Sequence, residues 1–326
     1  MKRIIPFVAS MLVALSAQAQ TINVHMADGT TQKFDASKVN YIDFTGSTVI
    51  PPAERKAINW NPSINGSLSS NGMATCGTIA GKWLADGTEN VAVQIGSEVR
   101  QYYVNEHRVM FSEAPFTWLD DFSDHADQAV AAWYPYSDVL SIERSVKTDQ
   151  ETDGLDSSDF MYASTTISYQ GSGDWVYPII FYHQVSMLNI IVNIDIPGDT
   201  RTVTGIEVLN TRLSGTFVAP SSGSFGTWTT TEGTEGTITP KVVIGGWNAI
   251  AIPQTIATGT DFVIITLSDE TTKTFAMPSN FTFQPNKVHK LKFNIKEKSI
   301  SFSAEIHDWV EEDRGDPGTW GGTIIN

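Results

Sequence analysis

One cysteine in 326 residues, Cys76, rules out an internal disulfide, so the stability of this chain has to come from packing. Beyond a short leader, no stretch approaches 18 consecutive apolar residues, so no membrane-spanning helix is expected. Positive charge is scarce: 21 Lys+Arg stand against 36 Asp+Glu, a net charge of −15. That balance argues against nucleic acid or anionic lipid as the main partner, because phosphate binding needs clustered cations. Catalytic patterns are missing as well. There is no H-E-x-x-H, G-x-S-x-G or phosphate-loop motif, and the six histidines are dispersed. The expectation is a protein that is not an enzyme and that uses no cofactor and no metal.

The start of the chain reads as a targeting segment. Lys2 and Arg3 precede an apolar run from Ile4 to Leu15, and Ala17-Gln18-Ala19 fits the small-x-small cleavage rule. Residues 1–19 are therefore expected to be a signal peptide cut between Ala19 and Gln20, which makes the protein exported. Cys76 lies far from that cleavage point and reads as a small core or surface thiol, since no histidine is spaced to activate it.

Residues 20–56 follow as a hairpin and a linker. Ile22, Val24 and Met26 alternate, Asp28-Gly29 supplies the turn, and Phe34 lies on the return strand. A further short strand is expected over Val39–Phe44. The linker Gly46–Ala57 carries Pro51-Pro52 and the dibasic pair Arg55-Lys56, a candidate processing site.

No long 3.6-residue periodicity occurs anywhere, so helix is a minor component. Strands are expected at Val91–Ile95, Arg100–Val104, Arg108–Phe111 and Ala129–Tyr136, then Thr202–Leu209, Gly215–Ala219, Val242–Ile244, Ala249–Ile252, Phe262–Leu267 and Thr274–Met277. Two late alternations are the cleanest: Leu291, Phe293 and Ile295 against four polar neighbours, then Ile300, Phe302, Ala304 and Ile306 against Ser301, Ser303, Glu305 and His307. Each reads as a half-buried antiparallel strand. Between the halves, Pro178–Pro197 is extended for too long to be one strand, and its apolar parity changes at Met187/Leu188. A bulge or a crossing between sheets is expected there. The fold class is all-β, with sandwiches over 57–173 and 174–309 and a tail over 310–326.

Candidate ligand groups are few. Asp120, Asp121, Asp124, His125 and Asp127 are the densest acidic cluster, yet they lack the spacing of a calcium loop and read as a solvated surface. His183 shares parity with Phe181 and Val185 and reads as a hydrogen-bonded core residue. Most of the nine tryptophans read as core fillers. Trp228 and Trp247, in Gly/Ser/Thr-rich surroundings, are the candidates for an exposed ligand surface. Arg314-Gly315-Asp316 spells an adhesion tripeptide within the tail.

Several blocks together resemble one family. AWYPYS (132–137), VKTDQ (146–150) followed by SSDFMYAS (157–164), IIFYHQVSMLNIIV (179–192), AIAIPQTI (249–256) with FVIITL (262–267), and EIHDW (305–309) are similar, in this order, to fimbrillin-like proteins, the pilins and pilus-like adhesins of Bacteroidales. The resemblance implies two tandem transthyretin-like β-sandwiches and assembly by donor strand exchange, in which a strand of one pilin subunit fills a groove in the next. The partners it implies are other pilin subunits or further copies of this chain, together with host glycan or protein, at the cell surface or in a fimbrium. The donatable pieces would be the segment before Arg55-Lys56 and the tail ending Trp320–Asn326. Family pilins carry an acylated cysteine where this leader reads AQAQ. A monomeric secreted glycan- or protein-binding module of the same fold is the alternative, and an unrecognised hydrolase a more distant one.

Overall fold

The computed structural model describes residues 21–25, 31–35, 57–65, 83, 87–122, 124–140, 142–152, 154–171, 175–221 and 224–309. Outside them lie Ala19 and Gln20, the strand expected at 39–44, Arg55 and Lys56, Cys76, the Arg314-Gly315-Asp316 triplet and Trp320. The chain divides into two units, residues 1–56 and 57–326. In the first, β1 (Thr21–His25) and β2 (Thr31–Asp35) pair antiparallel, with Ile22 opposite Phe34 and Val24 opposite Gln32.

In the second unit the chain continues as β3 (Ile58–Ile64), β4 (Asn90–Ile95), β5 (Glu98–Val104), β6 (Met110–Phe111), β7 (Gln128–Tyr134), β8 (Glu143–Ser145), β9 (Met161–Ile167) and β10 (Trp175–His183). Then come β11 (Ser186–Ile194), β12 (Val203–Arg212), β13 (Ser214–Val218), β14 (Thr227–Thr230), β15 (Glu235–Ile238), β16 (Lys241–Val243), β17 (Gly246–Ala251), β18 (Thr255–Ile256), β19 (Asp261–Leu267), β20 (Thr272–Ala276), β21 (Phe281–Thr282), β22 (Lys287–Ile295) and β23 (Ile300–Asp308). The helices among the described residues are two single turns, Trp118–Asp121 and Gly154–Ser157. The protein is all-β.

The first core lies inside a closed barrel ordered β10-β3-β6-β5-β4-β7-β9. Alternation fills it: Trp175, Tyr177, Ile179 and Phe181 of β10 point in, and Val176, Pro178 and Ile180 point out. β10 runs parallel to β3, with Tyr177 opposite Trp60. The barrel includes β10, which lies beyond the 57–173 expected for a first sandwich. The reason is non-local: the strand that closes the ring against β3 comes from over a hundred residues later.

The second core lies between a five-stranded sheet, β16-β17-β11-β22-β23, and a four-stranded sheet, β15-β12-β19-β20. Leu188, Ile190, Leu291, Phe293 and Ile295 from one meet Ile206, Val208, Val263, Ile265 and Phe275 from the other. At roughly 1.5–3 kcal/mol for each fully buried large apolar side chain, cores of this size need no disulfide. Gly246 lets β17 approach β11, since a Cβ there would sit 2.3 Å from the Ile190 carbonyl oxygen. The two cores share a wall: Ala92, Trp133 and Tyr162 stand in one row across β4, β7 and β9 on the outer barrel face and belong to the second core. Tyr162 reaches Phe217 of β13 at 5.9 Å between ring centres.

The chain crosses from barrel to second core at Gln184, three residues before the parity change in the sequence. Gln184 to Leu188 are all buried, because β11 enters its sheet with both faces covered, so alternation is lost where the crossing occurs. Part of that cover comes from residues 147–152 and 154–159. Among them Gln150, with no exposure, holds both main-chain groups of Ile250 in β17, accepting from the N–H at 2.7 Å and donating to the carbonyl at 2.9 Å. Substituting Gln150→Ala strands both groups, and the expected cost is about 2–4 kcal/mol. Urea unfolding should show a lower midpoint at unchanged slope, whereas a loss below about 0.5 kcal/mol would contradict this role.

Candidate functional site

A sheet edge is where a β protein meets a strand from outside, because its outward N–H and C=O groups have no ladder partner. The second core has two such sides, and they differ. On the β15/β16 side the segment 148–152 is laid along the edges. Thr239 N–H donates to the Thr148 carbonyl at 2.7 Å, Gln150 N–H to the Thr239 carbonyl at 2.9 Å, and Val242 N–H to Glu151 Oε2 at 3.2 Å. Asp149 and Thr239 form a parallel bridge. That side is occupied.

On the opposite side the sheets end in β23 and β20, and among the described residues no strand follows either. β22 and β23 pair along all nine residues, from Lys287/Asp308 to Ile295/Ile300. Hydrogen bonds just beyond each end, Lys296 N–H to the Ser299 carbonyl and Trp309 N–H to the Asn286 carbonyl, fix which pairs are bonded. Antiparallel pairs alternate, so Ser301, Ser303, Glu305 and His307 turn their main-chain groups toward β22. Those of Ile300, Phe302, Ala304 and Ile306 face the free edge. The same four carry the apolar side chains, and all four are only half-buried, whereas Leu291, Phe293 and Ile295 of β22 have essentially no exposure. Phe302 meets Phe275 of β20 at 5.1 Å and Phe293 at 5.2 Å, so an aromatic floor lies between the two edges.

A second concentration of polar groups sits at the crossing. His183 Nδ1 lies 2.8 Å from Asp159 Oδ1, both side chains fully buried, and the His183 ring stacks on Trp309 at 3.8 Å and 6°. Gln184 is bound on three sides: its amide donates to the Ser224 carbonyl, its Oε1 accepts from Gly226 N–H, and its carbonyl accepts from Trp228 Nε1 at 2.7 Å. Beside it is a cavity of about 40 Å³ lined by Arg144, Ser158, Asp159, Phe160 and Trp228 among others, room for about one water. Arg144 lies 4.0 Å over the Phe160 ring, and burial lowers its pKa to about 10. His183 is thus the hydrogen-bonded core residue its parity indicates.

The remaining candidates are placed individually. Trp228 is half-buried against Phe217 at 5.3 Å and spends its indole N–H on Gln184. Trp247 lies on β17 opposite Ile190 and Val242, packed against the second core and also half-buried. They stand on different sheets, and neither is among the exposed large apolar residues. Trp60, Trp83, Trp118, Trp133, Trp175 and Trp309 are buried. Within the acidic cluster, Asp121 pairs with Arg100 at 2.5 Å and accepts from Thr117 N–H, and His125 stacks on Tyr169 at 3.8 Å. Among the described residues no group of three or more His, Cys, Asp or Glu is arranged for a metal, and no helix is long and apolar enough to cross a membrane. Periodicity and spacing do not single out Gln150, Asp159 and Asn286, since what they hold lies 24 to 103 residues away.

His289 provides a solution handle on this region. It is fully buried on β22 between Phe281 and Phe283, and its Nε2 accepts from Gln284 N–H at 2.9 Å. Burial, with the nearby Lys287 charge adding to it, lowers its pKa to about 4. The unfolded chain therefore binds a proton below about pH 6.5 that the folded one refuses until about pH 4. Stability should fall as pH drops through that window, by on the order of 3 kcal/mol. Urea titrations at pH 7 and 4.5 should show His289→Gln losing much of that slope, and a variant with the full slope would contradict the assignment.

A family model described as fimbrillin-like matches residues 86–309. No curated protein matches. Among solved structures, a candidate cell adhesion protein from Bacteroides uniformis ATCC 8492 aligns with a TM-score of 0.57 at 16% identity, covering 79% of this chain and 100% of its own. Another from Bacteroides ovatus ATCC 8483 aligns with a TM-score of 0.58 at 17% identity, covering 79% of this chain and 99% of its own. At such identities these likenesses speak to the fold. The family match spans well over half of the sequence, and the chain belongs to the fimbrillin-like family.

Proposed function

We propose that this protein is an exported pilin-like adhesin or fimbrial subunit at the surface of a Bacteroidetes-type bacterium, working through strand exchange and surface contacts and not through catalysis. The observation that carries the reading is the asymmetry of the second core. One side is sealed by 148–152, and the other presents four consecutive outward-facing main-chain positions above an aromatic floor. An incoming extended segment gains ladder hydrogen bonds from Ile300, Phe302, Ala304 and Ile306 and covers their half-exposed side chains. Supplied by another copy in head-to-tail fashion, such filling does not close and builds a fibre. Family membership supports the reading, as do the names of the similar structures, which refer to cell adhesion.

In this proposal the barrel and the second core act as tandem domains of transthyretin-like kind, meeting at the Gln184 crossing. The signal peptide ending at Ala19 provides export, and cutting at Arg55-Lys56 frees the chain for assembly.

Residues 20–326 and a form beginning at Lys56 should be concentrated and compared on unboiled denaturing gels and by negative-stain electron microscopy. Ladders or filaments only in the trimmed form are expected, and monomers in both would overturn self-assembly in favour of a free binding module. A second variant places the acceptor edge. Ala304→Pro removes an N–H that faces away from β22, which edge strands tolerate. It should fold, with a midpoint within about 1 kcal/mol of the parent, and fail to form ladders. Unimpaired ladders would exclude this edge.

A further inference from the structure

The end of β23 and the crossing between the cores are held by one set of buried groups. Trp309, directly after β23, has 1% exposure and lies flat on His183, the last residue of β10. Trp309 N–H donates to the Asn286 carbonyl, Asn286 N–H donates to the Val185 carbonyl, and Asn286 Oδ1 accepts from His183 N–H at 3.3 Å. From the other side Asp159 holds His183 Nδ1, and Gln184 N–H donates to the Phe160 carbonyl. His183 to Val185 is thus gripped between the end of β23 and the segment 159–160.

We propose that the Trp309–His183 stack is a latch that couples the seating of β23 to the junction of the two cores, so that lifting the end of β23 loosens the crossing at His183–Val185. Two opposing contributions act on the closed latch. His183 Nε2 and Asp159 Oδ2 are buried with no hydrogen-bond partner in the protein, so the closed form holds polar atoms away from bulk water. Against that bias stand the burial of one of the largest side chains in the core and its ring stacking. Opening trades one for the other. The inference stands on this geometry and does not depend on strand exchange.

Hydrogen exchange of the full chain tests it. Trp309→Ala should speed exchange in peptides covering 158–160 and 183–186 by about tenfold or more, while β4 and β5 keep parent rates. Phe302→Ala is the control: it loosens the same strand at Phe275 and Phe293 without touching His183. It should speed exchange in β20, β22 and β23 and leave 183–186 unchanged. Rates at 183–186 within about twofold of the parent in Trp309→Ala would overturn the latch. Equal acceleration by Phe302→Ala would overturn it too, by reducing the effect to general loosening of the second core. Should Trp309→Ala not fold, Trp309→Phe is read by the same two criteria, with a smaller acceleration at 183–186 expected.

Discussion

Two hydrophobic cores have to be joined through a few residues of chain, and the burial of His183 to Leu188 at that joint is the constraint on which the rest depends. A main chain that runs between layers has no water for its polar groups, so every one must find a partner from elsewhere in the fold. Asn286, Phe160 and Trp228 bring those partners, from places far apart in sequence. Beside β17, the Gln150 side chain stands in for a strand. With the segment 148–152 on one side of the second core, the side at β20 and β23 is the one where no further strand follows among the described residues.

What was legible in the sequence follows from which surfaces alternate. β22 and β23 were readable because one face is buried and the other wet, and β19 and β20 because a short turn joins them. His183 could be placed in the core from parity alone. The crossing was legible in kind, but its position was blurred: where both faces are covered, Gln184 to Leu188 are buried in succession and periodicity carries no register. The barrel was not legible, because the β3–β10 pairing is parallel and distant, so no turn announces it.

The edge at β23 was half legible. Its alternation predicts a strand, but not that the apolar residues would be only half covered, since that depends on the width of the facing sheet. Trp228 shows another limit of local composition. Its Gly/Ser/Thr-rich neighbours suggest an open platform, yet the indole N–H is bound to the Gln184 carbonyl. The fimbrillin-like blocks cluster on these constrained places. SSDFMYAS contains Asp159, IIFYHQVS spans the crossing, and EIHDW ends in Trp309, so the signature follows the joint between the cores.

The central claim is that the outer edge of β23 is unpaired in the single subunit and becomes paired on assembly. Residue-resolved amide exchange measures this directly. In the monomer, Ile300, Phe302, Ala304 and Ile306 should exchange fast while Ser301, Ser303, Glu305 and His307 exchange slowly, and in the assembled form both sets should be slow. Protection of the first set in the monomer, or fast exchange persisting after assembly, would contradict the account.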